Sequence, residues 1–414
     1  MRNVYIIGVG MTPFGRHHEL TVKSLTGAAV TEALVDAGCR PEDVDVAFFG
    51  NVGQGYMEGQ TSIRGQVALL PLGFDSVPIH NVENACATSS SALHLAVAHL
   101  RSGSADVALA IGVEKIHSLD KQRMFAFFDG GWDVHAAAEN LRALRQMGDG
   151  VPVPPDAGAA PHSVFMDVYA AFGRQAMRHF GFTQTQFAAV AAKNHTHAVH
   201  NPRAQYRAAM SVDDVLSAQP IVYPLTLPMC APISDGAAAA ILCTDEALKR
   251  LSIDAARAVR VRASVMRSAS ARHGDALARH VTRLAADAAY ESAGIAPSDI
   301  DVAEVHDATA IGELIQVENL RLCPEGEAGA MATSGASALG GRVPINPSGG
   351  LESKGHPVGA TGLGQIHELV LQLRGEGGTR QVRGARMALQ ENGGGLWGVE
   401  EAVAHVGIFE RGPA

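Results

Sequence analysis

A motif repeated 256 residues apart divides this chain into two copies of one unit. Ala37-Gly38-Cys39-Arg40-Pro41-Glu42-Asp43-Val44-Asp45-Val46-Ala47 aligns without a gap with Ala293-Gly294-Ile295-Ala296-Pro297-Ser298-Asp299-Ile300-Asp301-Val302-Ala303. Each copy follows an alanine-rich helical pattern, 21–37 in the first, that stops at a glycine, and each leads into a strand. A second echo has a less constant offset. His99-Leu100-Arg101-Ser102-Gly103 precedes a strand at 106–111, and Gln372-Leu373-Arg374-Gly375 precedes a strand ending near Leu389. Two tandem β-α-β-α-β units are the simplest source of both echoes. Strands alternating with helices of this length require mixed or parallel sheets covered by helices, which is an α/β fold.

Between the copies the rhythm is lost. Residues 115–229 hold an aromatic cluster (Phe125, Phe127, Phe128, Trp132), a Pro/Gly/Ala stretch from Val151 to Pro161, and helical patterns at 165–180 and 183–195. The segment reads as an insertion covering a site, with the aromatic cluster either lining a pocket or forming a local core. Ile233 to Leu242 returns to turn and strand and closes the first half. The expected organisation is therefore 1–118 plus 231–252 as one half, 119–230 as an inserted loop domain, and 253–414 as the second half.

Composition narrows the function. A net charge of −9 and a pI near 6.0 supply no basic stripe for nucleic acid. Five widely spaced cysteines, with no CxxC or Cys/His ligand cluster, predict a reducing, cytoplasmic setting with no metal and no redox cofactor. The amino terminus enters a strand within three residues and is broken by Gly8 and Gly10. It therefore reads as neither a signal peptide nor a membrane span.

Four turns carry chemistry. In NVENACATSSSALHLAVAHL, Cys86 sits between a β-rich approach at 75–82 and a helix at 89–100, where N–H groups and the helix dipole favour a thiolate. It is either a nucleophile or a buried small hydrophobe. His306, in Val305-His306-Asp307, follows a strand at 300–305, at the edge where open α/β sheets hold ligands. It is either a site residue or a loop histidine bonded to Asp307. The Asn346-Pro347-Ser348-Gly349-Gly350 turn runs on to His356 in Gly355-His356-Pro357-Val358-Gly359, where glycines permit close backbone approach and the imidazole suits proton transfer. Glu391, after a strand and before three glycines, is either a solvated turn residue or a general acid/base.

NACATSS, KNHTHAVHNP, ISDGAAA, VHDAT, NPSGG, GHPVGATG and the late NGGG turn occur in the order seen in thiolases, and the chain most resembles the sterol-carrier-protein-x type. The resemblance spans essentially the whole chain. It implies a thiolase fold in which two βαβαβαββ halves form five αβαβα layers. It also implies Cys86 as nucleophile toward a 3-oxoacyl-CoA, His356 as its base and His306 at the thioester oxygen. The N–H groups of Cys86 and Gly393 would form a second oxyanion site, and Gly393, Ser348 and Gly349 would bind coenzyme A, the second substrate. A homodimer and a small zinc-ribbon OB-fold partner are implied as well. One departure stands out: the family's second cysteine is replaced by Glu391 at one of its positions and by Ala308 at the other. Glu391 is therefore expected to move the α-carbon proton. An aldolase acting on a 3-hydroxyacyl-CoA side chain and a non-catalytic acyl-CoA-binding subunit are the alternatives.

Overall fold

The repeated motif performs the same two jobs in both halves of the computed structural model, which describes residues 2–155, 157–158 and 161–412. Helix α1 (Val22–Ala37) ends at Gly38 with φ 66°, and its counterpart Val281–Ala293 ends at Gly294 with φ 67°, the left-handed geometry that glycine reaches without a Cβ penalty. The first repeated aspartate then closes a 3₁₀ turn, since Asp43 accepts from the Arg40 N–H at 2.9 Å and Asp299 from that of Ala296 at 2.8 Å. The second ties down the start of a neighbouring strand. Asp45 accepts from the N–H groups of Asp106 and Val107, both at 2.9 Å, and Asp301 from those of Arg386 and Met387, both at 2.8 Å.

The strands are β1 (Val4–Met11), β2 (Val46–Gly50), β3 (Ile79–Val82), β4 (Val107–Glu114), β5 (Gly236–Thr244), β6 (Val259–Ser268), β7 (Val302–Glu304), β8 (Met387–Gly394) and β9 (Val403–Glu410). They pair in the order β3-β2-β4-β5-β1-β6-β9-β8-β7. β2 is parallel to both β3 and β4, and β8 is parallel to β7, pairings that need the long helical crossovers between these strands. Reading outward from the centre, β1, β5, β4 and β2 correspond to β6, β9, β8 and β7. Among the described residues, β1 and β6 pair across the middle of the sheet at Tyr5–Arg260 and Ile6–Val259.

Alternate side chains sort into separate cores. Ile6, Phe48 and Ala108 face a central core, while Ile7, Phe49 and Leu109 face an outer one under α1. The central core is built by α2 (Thr88–Ser102) and α6 (Thr361–Arg374), whose Leu93, Val97, Leu363 and Ile366 meet side chains of both halves. A third core lies beneath α5 (Val281–Ala293). Helix, sheet, helix pair, sheet and helix make five layers, the thiolase arrangement expected from the motifs.

The insertion contributes α3 (Val164–Phe180) and α4 (Gln184–Ala198), close to the helical patterns read in the sequence. Its core is continuous with that of the second half, because Val168, Phe187 and Val190 pack in one cluster with Ile311, Leu314 and Val406. Asp156, Ala159 and Ala160 of the Val151–Pro161 stretch, and Met1, Pro413 and Ala414 of the two halves, lie outside the described residues.

α2 and α6 approach closely enough that a Cβ on Gly362 would lie 2.0 Å from Ser90 Oγ and 2.6 Å from Asn392 Oδ1. A glycine inside a helix ordinarily costs about 1 kcal/mol relative to alanine. Here the sign reverses: Gly362→Ala is expected to lower stability by about 2–4 kcal/mol in urea unfolding, from overpacking and a disrupted buried hydrogen bond. A stabilised variant would refute the close approach.

Candidate active site

The N-termini of α2 and α6 converge on one cavity of about 490 Å³. Cys86 lies in a 3₁₀ turn, Ala85–Ala87, just ahead of α2, and Ala85 takes a positive φ of 48° to turn the chain there. His306 follows β7, and His356 precedes the turn into α6. The Cys86 sulfur and one nitrogen from each histidine all lie within 4.8 Å of one another, and the two imidazoles meet edge to face with centroids 5.2 Å apart.

Hydrogen bonding assigns a tautomer to each ring. The Thr361 hydroxyl gives its hydrogen to the Pro357 carbonyl at 3.0 Å, so it accepts from His356 Nδ1–H at 2.6 Å. Nε2 of His356 is thus left with a lone pair. His306 has the opposite arrangement, set by a chain of buried groups. His405 Nδ1–H donates to Gln390 Oε1 at 2.8 Å, Gln390 Nε2 to Ser90 Oγ at 2.8 Å, Ser90 Oγ to Asn392 Oδ1 at 2.7 Å, and Asn392 Nδ2 to His306 Nδ1 at 3.0 Å. Its Nδ1 accepts, so its proton is on Nε2. One imidazole can take a proton and the other can donate a hydrogen bond to an oxyanion. The three donors are near enough to share a soft metal ion such as zinc, but the proton on His306 Nε2 opposes that use.

Desolvation governs the electrostatics. Burial lowers His306 to about 4 and His356 well below the ordinary imidazole value, so both rings are neutral near pH 7. The thiolate expected at Cys86 does not form at rest. Burial of the thiol raises it to about 12, against a smaller opposing contribution from the Gly395 N–H, and neither histidine supplies a positive charge. Cys86 is a thiol awaiting a base.

Cys86, His306, His356 and Gly393 reach the cavity wall, and three other sequence-derived residues do not. Glu391 lies within β8, fully buried, with Oε2 accepting from the His306 N–H at 2.9 Å; it holds the His306 main chain in place and is not a solvated turn residue. Ser348 is also fully buried, its hydroxyl donating to Glu304 at 2.7 Å. A Cβ on Gly349 would lie 2.5 Å from Ala198 Cβ. Both belong to a packed turn, with no face open to coenzyme A. Asp307 bonds Asn194 Nδ2 and the Leu351 N–H and not the His306 ring, so the KNHTHAVHNP segment braces the site from below.

The wall also holds residues that sequence spacing did not single out. Tyr169 and Glu401 line it, as do Phe165 and Met166 beside Phe127 and Phe128. Of the aromatic cluster, Phe127 and Phe128 serve the cavity, whereas Trp132 packs against the core beneath α5.

Family models for the thiolase N-terminal domain and the thiolase C-terminal domain-like region match residues 4–214 and 263–406. The chain belongs to the thiolase family. It is 37% identical to rabbit (Oryctolagus cuniculus) sterol carrier protein 2, over 94% of this chain and 69% of that protein. It is 35% identical to an acetyl-CoA acetyltransferase of Methanothermobacter thermautotrophicus, over 99% and 100%, and 36% identical to the benzoylsuccinyl-CoA thiolase subunit BbsB of Thauera aromatica, over 91% and 90%. Two solved structures share the fold. An Ltp2–ChsH2(DUF35) aldolase has TM-score 0.77 and 22% identity, with 99% of this chain and 98% of that chain covered. Human mitochondrial 3-ketoacyl-CoA thiolase has TM-score 0.71 and 18% identity, with 99% of each chain covered.

Set beside thiolases, this site has one thiol on the described cavity wall. The next cysteine in the chain, Cys230, adjoins the wall residue Ala231 but directs its sulfur to the Thr226 carbonyl at 3.5 Å. Among the described residues, no helix is long and apolar enough to cross a membrane.

Because the resting thiol is raised to about 12, alkylation of Cys86 by iodoacetamide should quicken about tenfold per pH unit from pH 7 to beyond pH 10. Peptide mass mapping of the alkylated residue measures it. A plateau near pH 8.5, as for an unperturbed thiol, would contradict the electrostatics described above.

Proposed function

We propose that this thiolase cleaves a 3-oxoacyl-CoA with coenzyme A, or runs the reverse Claisen condensation, through an acyl-Cys86 intermediate. The observation that carries the reading is the pairing of a thiol, within 4.8 Å, with a lone-pair-bearing His356 and a proton-bearing His306 in one cavity. His356 Nε2 takes the thiol proton as sulfur bonds to C3. The C2–C3 bond then breaks, leaving its electron pair as a thioester enolate whose oxygen accepts the His306 Nε2–H. Protonation at C2 releases acetyl-CoA or its 2-substituted counterpart, and the thiol of coenzyme A then displaces the acyl group from Cys86 as the shortened acyl-CoA. Gly393, Gly394 and Gly395 bring main chain to this wall with no side chain in the way, which suits the oxyanion site assigned to the N–H groups of Cys86 and Gly393.

The acyl group is proposed to be bulky and apolar, aryl groups included. Phe127, Phe128, Phe165 and Met166 give the cavity an apolar wall, and its volume of about 490 Å³ lies in the range of small-molecule sites. A homodimer, a cytoplasmic setting and a small zinc-ribbon OB-fold partner remain part of the proposal. The solved neighbour described as an Ltp2–ChsH2(DUF35) aldolase supports the last of these by analogy.

A second reading, carbon–carbon lysis of a 3-hydroxyacyl-CoA without a covalent intermediate, is favoured by the absence of a second thiol from the described wall. Intact-protein mass after mixing with acetyl-CoA or 3-phenylpropanoyl-CoA distinguishes the two. The thiolase reading expects an acyl adduct that Cys86→Ala abolishes; its absence with both donors supports lysis. Phe128→Ala should raise KM for the aryl substrate about tenfold while leaving the acetyl adduct unchanged. Equal losses for both donors would remove the assignment of Phe128 to the acyl pocket.

A further inference from the structure

Thioester enolate chemistry needs a group that gives a proton to the α-carbon, and the positions where thiolases resembling this chain carry a cysteine hold Ala308 and Glu391. Beyond the two histidines, four groups near the reacting centre have a proton-transfer function to offer, and three are already committed. Glu83 is on the wall but exposed, and accepts from the Ala85 N–H at 2.6 Å. Glu391 accepts from the His306 N–H at 2.9 Å and from the Thr282 hydroxyl at 3.5 Å, and is absent from the wall. Glu401 is on the wall, but Oε1 accepts from Gln316 Nε2 at 2.8 Å and Oε2 pairs with His280 Nε2 at 3.2 Å. His280 accepts from the Thr282 N–H on Nδ1 at 3.2 Å, so its proton is on Nε2, close enough to hold that carboxylate by charge without a hydrogen bond of good geometry.

Tyr169 is different. It projects from α3 onto the cavity wall, is only 6% exposed, and its hydroxyl makes no hydrogen bond to any described residue. Its ring is fixed against Phe172, with centroids 5.9 Å apart, and against the main chain near Gly312. It shares the cavity wall with Cys86, His306 and His356. Tyr56, the other phenol on the wall, is 49% exposed and stacks near Arg123. Ser163, also on the wall, carries an alkyl hydroxyl, a far weaker acid than a phenol.

We propose that Tyr169 is the proton carrier for the α-carbon, replacing the absent second thiol. In cleavage its O–H proton moves to C2 as the enolate collapses, leaving a phenolate. The phenolate recovers its proton from the His356 imidazolium formed when Cys86 was deprotonated. His356 then takes the thiol proton of incoming coenzyme A, the resulting thiolate attacks acyl-Cys86, and the departing Cys86 sulfur takes that proton back. Tyr169 thus has no part in acylation. Proton and electron pair both balance, and no further co-reactant is needed. Burial, with the nearby Glu401 carboxylate adding to it, keeps the group a neutral phenol between turnovers.

The inference rests on the acyl-cysteine reading, and one pair of measurements separates their failures. Wild type and Tyr169→Phe are mixed with acetyl-CoA in D₂O; intact mass reports Cys86 acylation, and the mass of recovered acetyl-CoA reports exchange of its α-hydrogens. Tyr169→Phe keeps the ring and its packing, so acylation should remain within about twofold of wild type while exchange falls by about 10²–10⁴-fold, the usual contribution of a positioned acid/base. Exchange equal to wild type, or acylation and exchange falling by the same factor, overturns the proposal. Absence of both signals in wild type overturns the acyl-cysteine reading and this inference with it.

Discussion

The close approach of two helix N-termini at the centre of the molecule is the constraint on which the rest depends. α2 carries Cys86 at its entrance and α6 follows His356, so the reactive pair exists only if these helices, from opposite halves, meet almost backbone to backbone. Gly362 permits this against Ser90, and Gly112 in β4 against the turn into α6, where a Cβ would lie 2.3 Å from the Gly359 carbonyl oxygen. Close-packed interiors do not yield to an added methyl group at such a contact. The same contact carries chemistry, because Ser90 is both the packing partner of Gly362 and the link that orients Asn392 toward His306.

Burial then decides the electrostatics, and it opposes the intuition that a cysteine at a helix N-terminus is a thiolate. Two neutral imidazoles and a neutral thiol share a desolvated cavity, and their roles differ only in where each proton lies. That asymmetry comes from outside the cavity. A threonine hydroxyl already committed to a carbonyl sets one ring, and a polar chain reaching from His405 sets the other. Such chains carry information because every member is satisfied; a single unsatisfied amide would leave the tautomer undefined.

The inserted segment couples substrate shape to the catalytic centre. Phe127 and Phe128 come from its first short helices, and Phe165, Met166 and Tyr169 from α3, so one insertion supplies both the apolar wall and a free phenol. It packs as part of the second half's core, which fixes that wall relative to His306. Residues on either side of the change of rhythm thus share one packed cluster.

Sequence alone determined the duplication and the α/β layering and singled out Cys86, His306 and His356 as candidates, because repeated turns, capping glycines and aspartates act over a few residues and leave a local record. Asp43 and Asp299 show this most clearly, each closing its own turn. Tertiary structure decided which neighbouring groups reach the cavity. Glu391 and Gly393 are two positions apart on one strand, and only a complete sheet with its helices separates a carboxylate that holds a backbone from a glycine on the wall. Tyr169 and Glu401 reach the centre from elements distant in sequence, where no spacing rule connects them to Cys86. Their proximity is set by burial and long-range packing, which a linear pattern does not encode.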